Sequence, residues 1–141
     1  MFSTLRVVLR YVLALFMIGM GVLHFTAESF FTQIVPPFLP APRLLVWISG
    51  VAEIALGIGL IPARFRRWAG YGLVALYVAV FPANIYMAIA NVQIQGMPSD
   101  FEQPSPLMLW LRLPLQLVLI AWALWVSTPS RRRPLQPSSA H

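Results

Sequence analysis

The sequence predicts an all-α integral membrane protein built as a bundle of four transmembrane helices. Of its 141 residues, 59% are hydrophobic and only 10% are charged, whereas about a quarter of the residues in a soluble domain are charged. Four apolar segments are each long enough to cross a hydrocarbon core of about 30 Å as a helix. These segments lack the strict alternation of barrel strands, and a backbone exposed to lipid must pair its own polar groups.

The four predicted helices follow one another with short connections. They span approximately residues 5–27, 44–61, 68–91 and 107–127. The connections are a proline-rich stretch (IVPPFLPAPR), a short basic turn (PARFRR) and a polar, proline-rich stretch (GMPSDFEQPSP). Residues 1–127 therefore form one predicted transmembrane domain. The basic tail, residues 128–141, has no apolar periodicity, and we expect it to be disordered.

The positions of the arginines predict that both termini lie in the cytoplasm. Eight arginines fall on one side of a four-pass topology: Arg6, Arg10, Arg64, Arg66, Arg67, Arg131, Arg132 and Arg133. Arg43 is the only loop arginine on the other side. Cytoplasmic loops carry an excess of basic residues, which assigns the arginine-rich side to the cytoplasm. A cleaved signal peptide is the alternative for the first segment, but its apolar run is long and it lacks an Ala-x-Ala site.

The composition also excludes several classes of function. The net charge of +6 does not indicate a nucleic-acid partner, because the arginines flank apolar segments instead of forming one soluble face. The absence of cysteine excludes disulfides, thiolate metal sites and cysteine-ligated clusters within the chain. His24 and Glu28 are expected to share a helix face, but a third nitrogen or sulfur ligand is missing, so no metal site is predicted.

Five polar side chains lie at a similar depth in the predicted helices, in the half nearer the outer face: His24, Glu53, Asn84, Arg112 and Gln116. Glu53 interrupts the apolar run SGVAEIALGIG about nine residues, or roughly 13 Å, from the outer end of its helix. A charge there costs about 2.5–3.5 kcal/mol, so we expect an ion pair between Glu53 and Arg112. The five side chains are the predicted ligand-binding site, with Glu53 as the candidate proton-exchanging group. The alternative is a buried pair that only fixes helix register.

Two prolines lie beside these polar groups. Pro82 and Pro114 each lie two residues from a polar side chain, and each leaves the carbonyl four residues earlier without its helical donor. Such carbonyls are tolerated where protein or a wet cavity satisfies them. The sequence therefore predicts a small polar pocket that opens toward the external face.

A weak internal repeat accompanies this pattern. A shift of about 60 residues aligns His24 with Asn84 and brings Glu53 within one position of Arg112, so the halves suggest two parallel hairpins about an axis along the membrane normal.

Four motifs together resemble the DoxX family of small four-helix bacterial membrane proteins, closest to its uncharacterised branch. They are GMGVLHF, SGVAEIALGIGLI, VFPANIYMA and LRLPLQLVLIAWAL, and the resemblance covers about Leu9 to Trp125. It implies a bacterial inner-membrane protein. The family takes its name from a subunit associated with thiosulfate:quinone oxidoreduction, and related proteins act as partners in redox or assembly complexes. Members that work through thiols use cysteines, which this chain lacks.

Three functions remain open at this point. The first is an accessory subunit whose polar pocket holds a segment of a membrane or redox partner, or a small polar ligand. The second is a quinone-linked oxidoreductase subunit, with the quinone headgroup among His24, Glu53 and Arg112 and the electrons supplied by another protein. The third is a transporter for a small anion or weak acid, which with four helices would need a homodimer. No cofactor other than a quinone is expected.

Overall fold

The computed structural model describes residues 2–92 and 105–128, and this part of the chain is helical without any strand. It contains five helices: α1 (Phe2–Thr26), α2 (Glu28–Gln33), α3 (Pro42–Gly59), α4 (Arg66–Ile89) and α5 (Pro106–Ser127). Four of them, α1 and α3–α5, are long and apolar enough to cross a membrane. The predicted all-α, multi-pass class is confirmed. The tail from residue 129 onward lies outside the described residues, so its predicted disorder stays a prediction.

Local sequence explains where two of the long helices begin. Pro42 and Pro106 occupy the first turn of α3 and α5, where the missing backbone N–H has no helical acceptor to lose. Ser105 caps α5, because its hydroxyl accepts a hydrogen bond of 3.3 Å from the backbone amide of Met108. These signals place both helix starts one or two residues before the predicted positions.

The short helix α2 was not predicted. The chain leaves the helical conformation at Ala27, with φ −119° and ψ 37°, so Glu28 begins a new helix instead of extending α1. The predicted shared face of His24 and Glu28 is therefore wrong. The ring of Phe31 in α2 stacks on the His24 imidazole, with centroids 3.9 Å apart. This tertiary contact stabilises a six-residue helix that is too short to form alone in water.

Glycines bring α1 and α3 into close contact. A Cβ built on Gly21 would lie 2.6 Å from the Gly50 carbonyl oxygen, and one built on Gly57 would lie 2.9 Å from the Ala14 carbonyl oxygen. Small residues at membrane helix interfaces allow such backbone approach. Since low residue numbers on α1 face high ones on α3, the two helices are antiparallel.

The same logic orders the whole bundle. α4 packs along α5, while α3 also contacts α4 and α1 also contacts α5. Each long helix thus has two neighbours, and α3 lies diagonally across from α5. Across the other diagonal, the Tyr77 hydroxyl donates a hydrogen bond of 3.0 Å to the Met17 sulfur. The start of α1 and the end of α5 consequently lie at one end of the bundle, beside the turn between α3 and α4, and we call this the arginine-rich end.

Candidate functional site

The carboxylate of Glu53 pairs with His24 across the α1–α3 contact. The His24 Nδ1 atom lies 3.2 Å from Glu53 Oε2 and 2.8 Å from the carbonyl oxygen of Met20. The two side chains are 10% and 14% exposed. Gly50 makes this approach possible, because a Cβ there would lie 2.8 Å from the His24 Cβ atom. In the motif SGVAE, Gly50 therefore allows the close approach of the helices, and Glu53, about one turn later, supplies the carboxylate that pairs with His24.

The predicted ion pair between Glu53 and Arg112 is wrong. Glu53 lies on α3, which faces α1, whereas Arg112 lies on α5, the diagonal helix. The Arg112 Nη1 atom instead lies 3.2 Å from the sulfur of Met87 on α4. Within residues 2–92 and 105–128, the only ion pairs are His24–Glu53 and Glu28–Arg43. The half-buried Arg112 guanidinium therefore has no carboxylate partner in that part of the chain.

Asn84 and Gln116 form a second polar pair, between α4 and α5. Asn84 Nδ2 donates a hydrogen bond of 2.8 Å to Gln116 Oε1, and Gln116 Nε2 donates to the backbone carbonyl of Tyr77. Tyr77 directly precedes Val78, whose carbonyl loses its donor at Pro82. The contact joins a side chain of α5 to the backbone of α4 one residue before the carbonyl that Pro82 leaves without its helical donor.

We expect Gln116→Leu to destabilise the bundle far more than a change at its neighbour Leu117. Gln116 is 3% exposed, and its loss removes the described acceptor of the Asn84 side-chain amide. A partly buried donor left without its partner costs about 1–3 kcal/mol. Leu117 is 61% exposed and faces lipid, so Leu117→Val should stay within about 0.5 kcal/mol of the wild type. Unfolding with sodium dodecyl sulfate in mixed micelles measures both. Equal unfolding midpoints for the two variants would contradict the network.

Both polar pairs lie at one depth of the bundle. His24 and Asn84 are each seven residues beyond the Met17–Tyr77 contact, which places their Cα atoms about 10 Å farther from the arginine-rich end. No hydrogen bond or ion pair among the described residues joins one pair to the other. The structure thus brings four of the five predicted residues to a common level in two separate pairs, while Arg112 lies about one turn nearer the start of α5, beside Met87.

The predicted polar pocket does not coincide with the grooves on the surface of the bundle. One groove, of about 440 Å³, runs between α1 and α5, and a second, of about 490 Å³, runs between α3 and α4. Apolar residues line both grooves, and none of the five polar residues belongs to either. A polar pocket open to the outer face stays a prediction. Among the described residues, no three His, Asp or Glu side chains are arranged to hold a metal ion.

Two further polar features escaped the sequence analysis. Glu28 Oε1 lies 2.6 Å from Arg43 Nε, and Glu28 Oε2 accepts a hydrogen bond of 2.9 Å from Trp47 Nε1, so these contacts hold α2 against the start of α3.

The second feature is Arg10, which was assigned to a flank of the first helix but is only 7% exposed. Because α1 begins at Phe2, Arg10 lies more than two turns inside that helix.

The chain matches the family model of a domain of unknown function, DUF8561, over residues 13–127. The chain belongs to the DUF8561 family. The matched region contains all five polar residues and all of α3, α4 and α5. No curated protein and no solved structure matches the chain. These comparisons give no link to the DoxX family, so that resemblance stays a prediction.

Proposed function

We propose that this DUF8561 protein is an accessory membrane subunit that holds an anionic group of a partner protein at Arg112. The observation that carries the proposal is the half-buried Arg112 guanidinium, whose described polar contact is the sulfur of Met87 at 3.2 Å. We further propose that the chain resides in a bacterial inner membrane with its arginine-rich end in the cytoplasm, and that it is related to the DoxX family through the four motifs quoted above.

The chemistry of the guanidinium favours an anionic partner group. Arginine keeps its charge in proteins and offers five N–H donors, while a thioether is a weak acceptor that takes one. A charge at this depth costs about 2.5–3.5 kcal/mol unless it is paired. A carboxylate would accept two parallel hydrogen bonds from the guanidinium. Asn84 and Gln116 are committed to each other and to Tyr77, so they position α5 beside α4 and leave Arg112 to make the contact.

The chain's own Asp100 and Glu102 are the alternative source of a carboxylate. Both belong to the connection between α4 and α5 and lie outside the described residues. The two sources of the carboxylate can be distinguished, because only a partner adds a second protein to the purified sample. The variants Asp100→Asn and Glu102→Gln therefore belong in the same experiment.

We expect a membrane protein to co-purify stoichiometrically with the full chain in mild detergent and to be lost from Arg112→Gln. Arg43→Gln is the matched control, because Arg43 is 67% exposed and already paired with Glu28. Asp100→Asn and Glu102→Gln should retain the partner. Purification of the chain alone, or a partner that survives Arg112→Gln, would contradict the proposal. If Asp100→Asn or Glu102→Gln destabilises the protein as much as Arg112→Gln does, the anionic group at Arg112 belongs to the connection between α4 and α5.

A quinone-linked oxidoreductase subunit is the second candidate, and the His24–Glu53 contact favours it. A histidine 3.2 Å from a carboxylate and stacked on Phe31 forms a proton-exchanging pair beside an aromatic ring. A quinone headgroup needs such proton exchange when it is reduced or oxidised. Organic extraction of the same purified sample tests this candidate: a bound quinone lost from Glu53→Gln would favour it over partner binding alone.

A further inference from the structure

Among the described residues, arginines gather at the arginine-rich end and acidic residues do not. The described acidic residues, Glu28 and Glu53, are engaged with Arg43, Trp47 and His24 in the opposite half. Within residues 2–92 and 105–128, no acidic side chain therefore lies at the arginine-rich end.

Arg10 shows this imbalance most clearly. It is only 7% exposed, and its Nε atom is buried without a hydrogen-bond partner among the described residues. Arg6 and Arg66 lie at the same end of the bundle as Arg10. Arg66 itself donates to the carbonyls of Leu60 and Ile61, at 3.4 and 3.3 Å. A buried guanidinium among like charges is stabilised when an anion joins it.

An apolar groove between α3 and α4 opens beside these arginines, and we call it the α3–α4 groove. Its volume is about 490 Å³, and its lining includes Ile58, Phe65 and Trp68. The Arg64 guanidinium lies 5.5 Å from the centre of the Phe65 ring, at the mouth of the groove. Arg66 contacts the carbonyl of Ile61, directly before the groove residue Pro62. The apolar surface groove thus opens beside Arg64 and Arg66.

We propose that this opening is a binding site for an anionic phospholipid, with an acyl chain in the α3–α4 groove and the phosphate at Arg10, Arg64 and Arg66. Guanidinium groups match phosphate oxygens with paired hydrogen bonds, and arginines beside a membrane attract anionic headgroups. A neutral phospholipid would fill the groove equally well but would leave the net positive charge of the cluster unbalanced. Charge complementarity therefore selects the anionic lipid.

The groove between α1 and α5 is a matched control within the same half of the bundle. It has a similar volume, about 440 Å³, and is lined by apolar residues that include Trp122 and Trp125. The arginine beside it, Arg6, donates hydrogen bonds to the Trp125 carbonyl and, at 2.8 Å, to the Thr128 hydroxyl. The chain already occupies those donors, whereas Arg64 beside the α3–α4 groove makes only its contact with the Phe65 ring among the described residues. The control groove should therefore not distinguish anionic from neutral lipid.

Quenching of tryptophan fluorescence by brominated lipids tests the proposal. Trp68 lines the α3–α4 groove and is 74% exposed. The full chain is prepared with Trp68 as its single tryptophan, the others being changed as Trp47→Phe, Trp110→Phe, Trp122→Phe and Trp125→Phe. It is reconstituted in phosphatidylcholine vesicles containing a minor fraction of brominated phosphatidylglycerol or, in parallel, brominated phosphatidylcholine. A second form that keeps only Trp125 reports the control groove.

We expect phosphatidylglycerol to quench Trp68 more strongly than phosphatidylcholine does, and Trp125 to be quenched equally by both. Each of Arg64→Gln, Arg66→Gln and Arg10→Gln should lower the preference about fivefold, while Arg43→Gln at the opposite end should not change it. Arg64→Gln lies in an exposed turn, so it tests the site even if Arg10→Gln fails to fold. Equal quenching of Trp68 by both lipids would overturn the proposal. Loss of the preference in inorganic phosphate buffer would assign the cluster to free phosphate instead.

Discussion

Gly21→Val is expected to abolish accumulation of the folded protein, whereas Gly19→Val, two residues away on the same helix, leaves it intact. A Cβ on Gly21 would lie 2.6 Å from the Gly50 carbonyl oxygen and 2.6 Å from the Ile54 Cγ1 atom. The carbonyl belongs to the α3 backbone, so the clash is relieved only by moving α3 away from α1. Overpacking a well-packed contact costs about 1–3 kcal/mol and occasionally more. At Gly19, no atom lies within 4 Å of the added Cβ.

The separation of α1 and α3 has a second cost, because the His24–Glu53 contact of 3.2 Å lies beside the same glycines. A valine at position 21 therefore both strains the packing of α1 against α3 and separates His24 from Glu53. The yield of monodisperse protein after detergent extraction, compared at equal expression, measures the effect. Equal yields from Gly21→Val and Gly19→Val would show that the α1–α3 contact is looser than the structure indicates.

Helix identity and depth followed from the sequence, because they depend on local properties. Hydropathy over a span of residues locates a transmembrane helix, and the rise of 1.5 Å per residue converts a position into a depth. The predicted common level of His24 and Asn84 agrees with their equal distance from the Met17–Tyr77 contact.

Neighbour relations around the bundle did not follow from the sequence. Depth alone cannot tell whether Glu53 faces α1 or α5, since both present a polar group at that level. The deciding features are Gly21, Gly50 and Gly57, which draw α3 onto α1 and leave Arg112 on the diagonal helix. Similarly, α2 depends on the stacking of Phe31 on His24, a contact between helices that no local pattern of six residues reveals.

The two polar pairs relate to the predicted internal repeat. One pair, His24–Glu53, joins α1 to α3, and the other, Asn84–Gln116, joins α4 to α5. Each antiparallel helix pair thus holds one polar contact at the same level, which is what two equivalent hairpins would produce. The repeat itself, with Glu53 within one position of Arg112, stays a prediction.

His24→Phe is expected to destabilise the protein much more than Glu53→Met, although both variants remove the same contact. Phenylalanine keeps the ring that stacks on Phe31, so the change isolates the loss of the imidazole nitrogens. Glu53 Oε2 is buried and has no hydrogen-bond partner besides its ion pair with His24. Leaving a buried acceptor without its partner costs about 1–3 kcal/mol, and more for a charged group. In Glu53→Met, by contrast, His24 Nδ1 keeps its 2.8 Å hydrogen bond to the Met20 carbonyl, so we expect a loss below about 1 kcal/mol.

The double variant His24→Phe/Glu53→Met should therefore recover most of the stability that His24→Phe loses, because the stranded carboxylate is gone. Unfolding midpoints of the four proteins in mixed micelles give the coupling free energy. A parallel cycle of Glu53→Met with Arg112→Met is the control, and it should be additive within about 0.3–0.5 kcal/mol, since these residues lie on diagonal helices and share no partner. Additivity in the first cycle would mean that His24 and Glu53 do not interact, and coupling in the second would place Glu53 beside Arg112 and contradict the helix order.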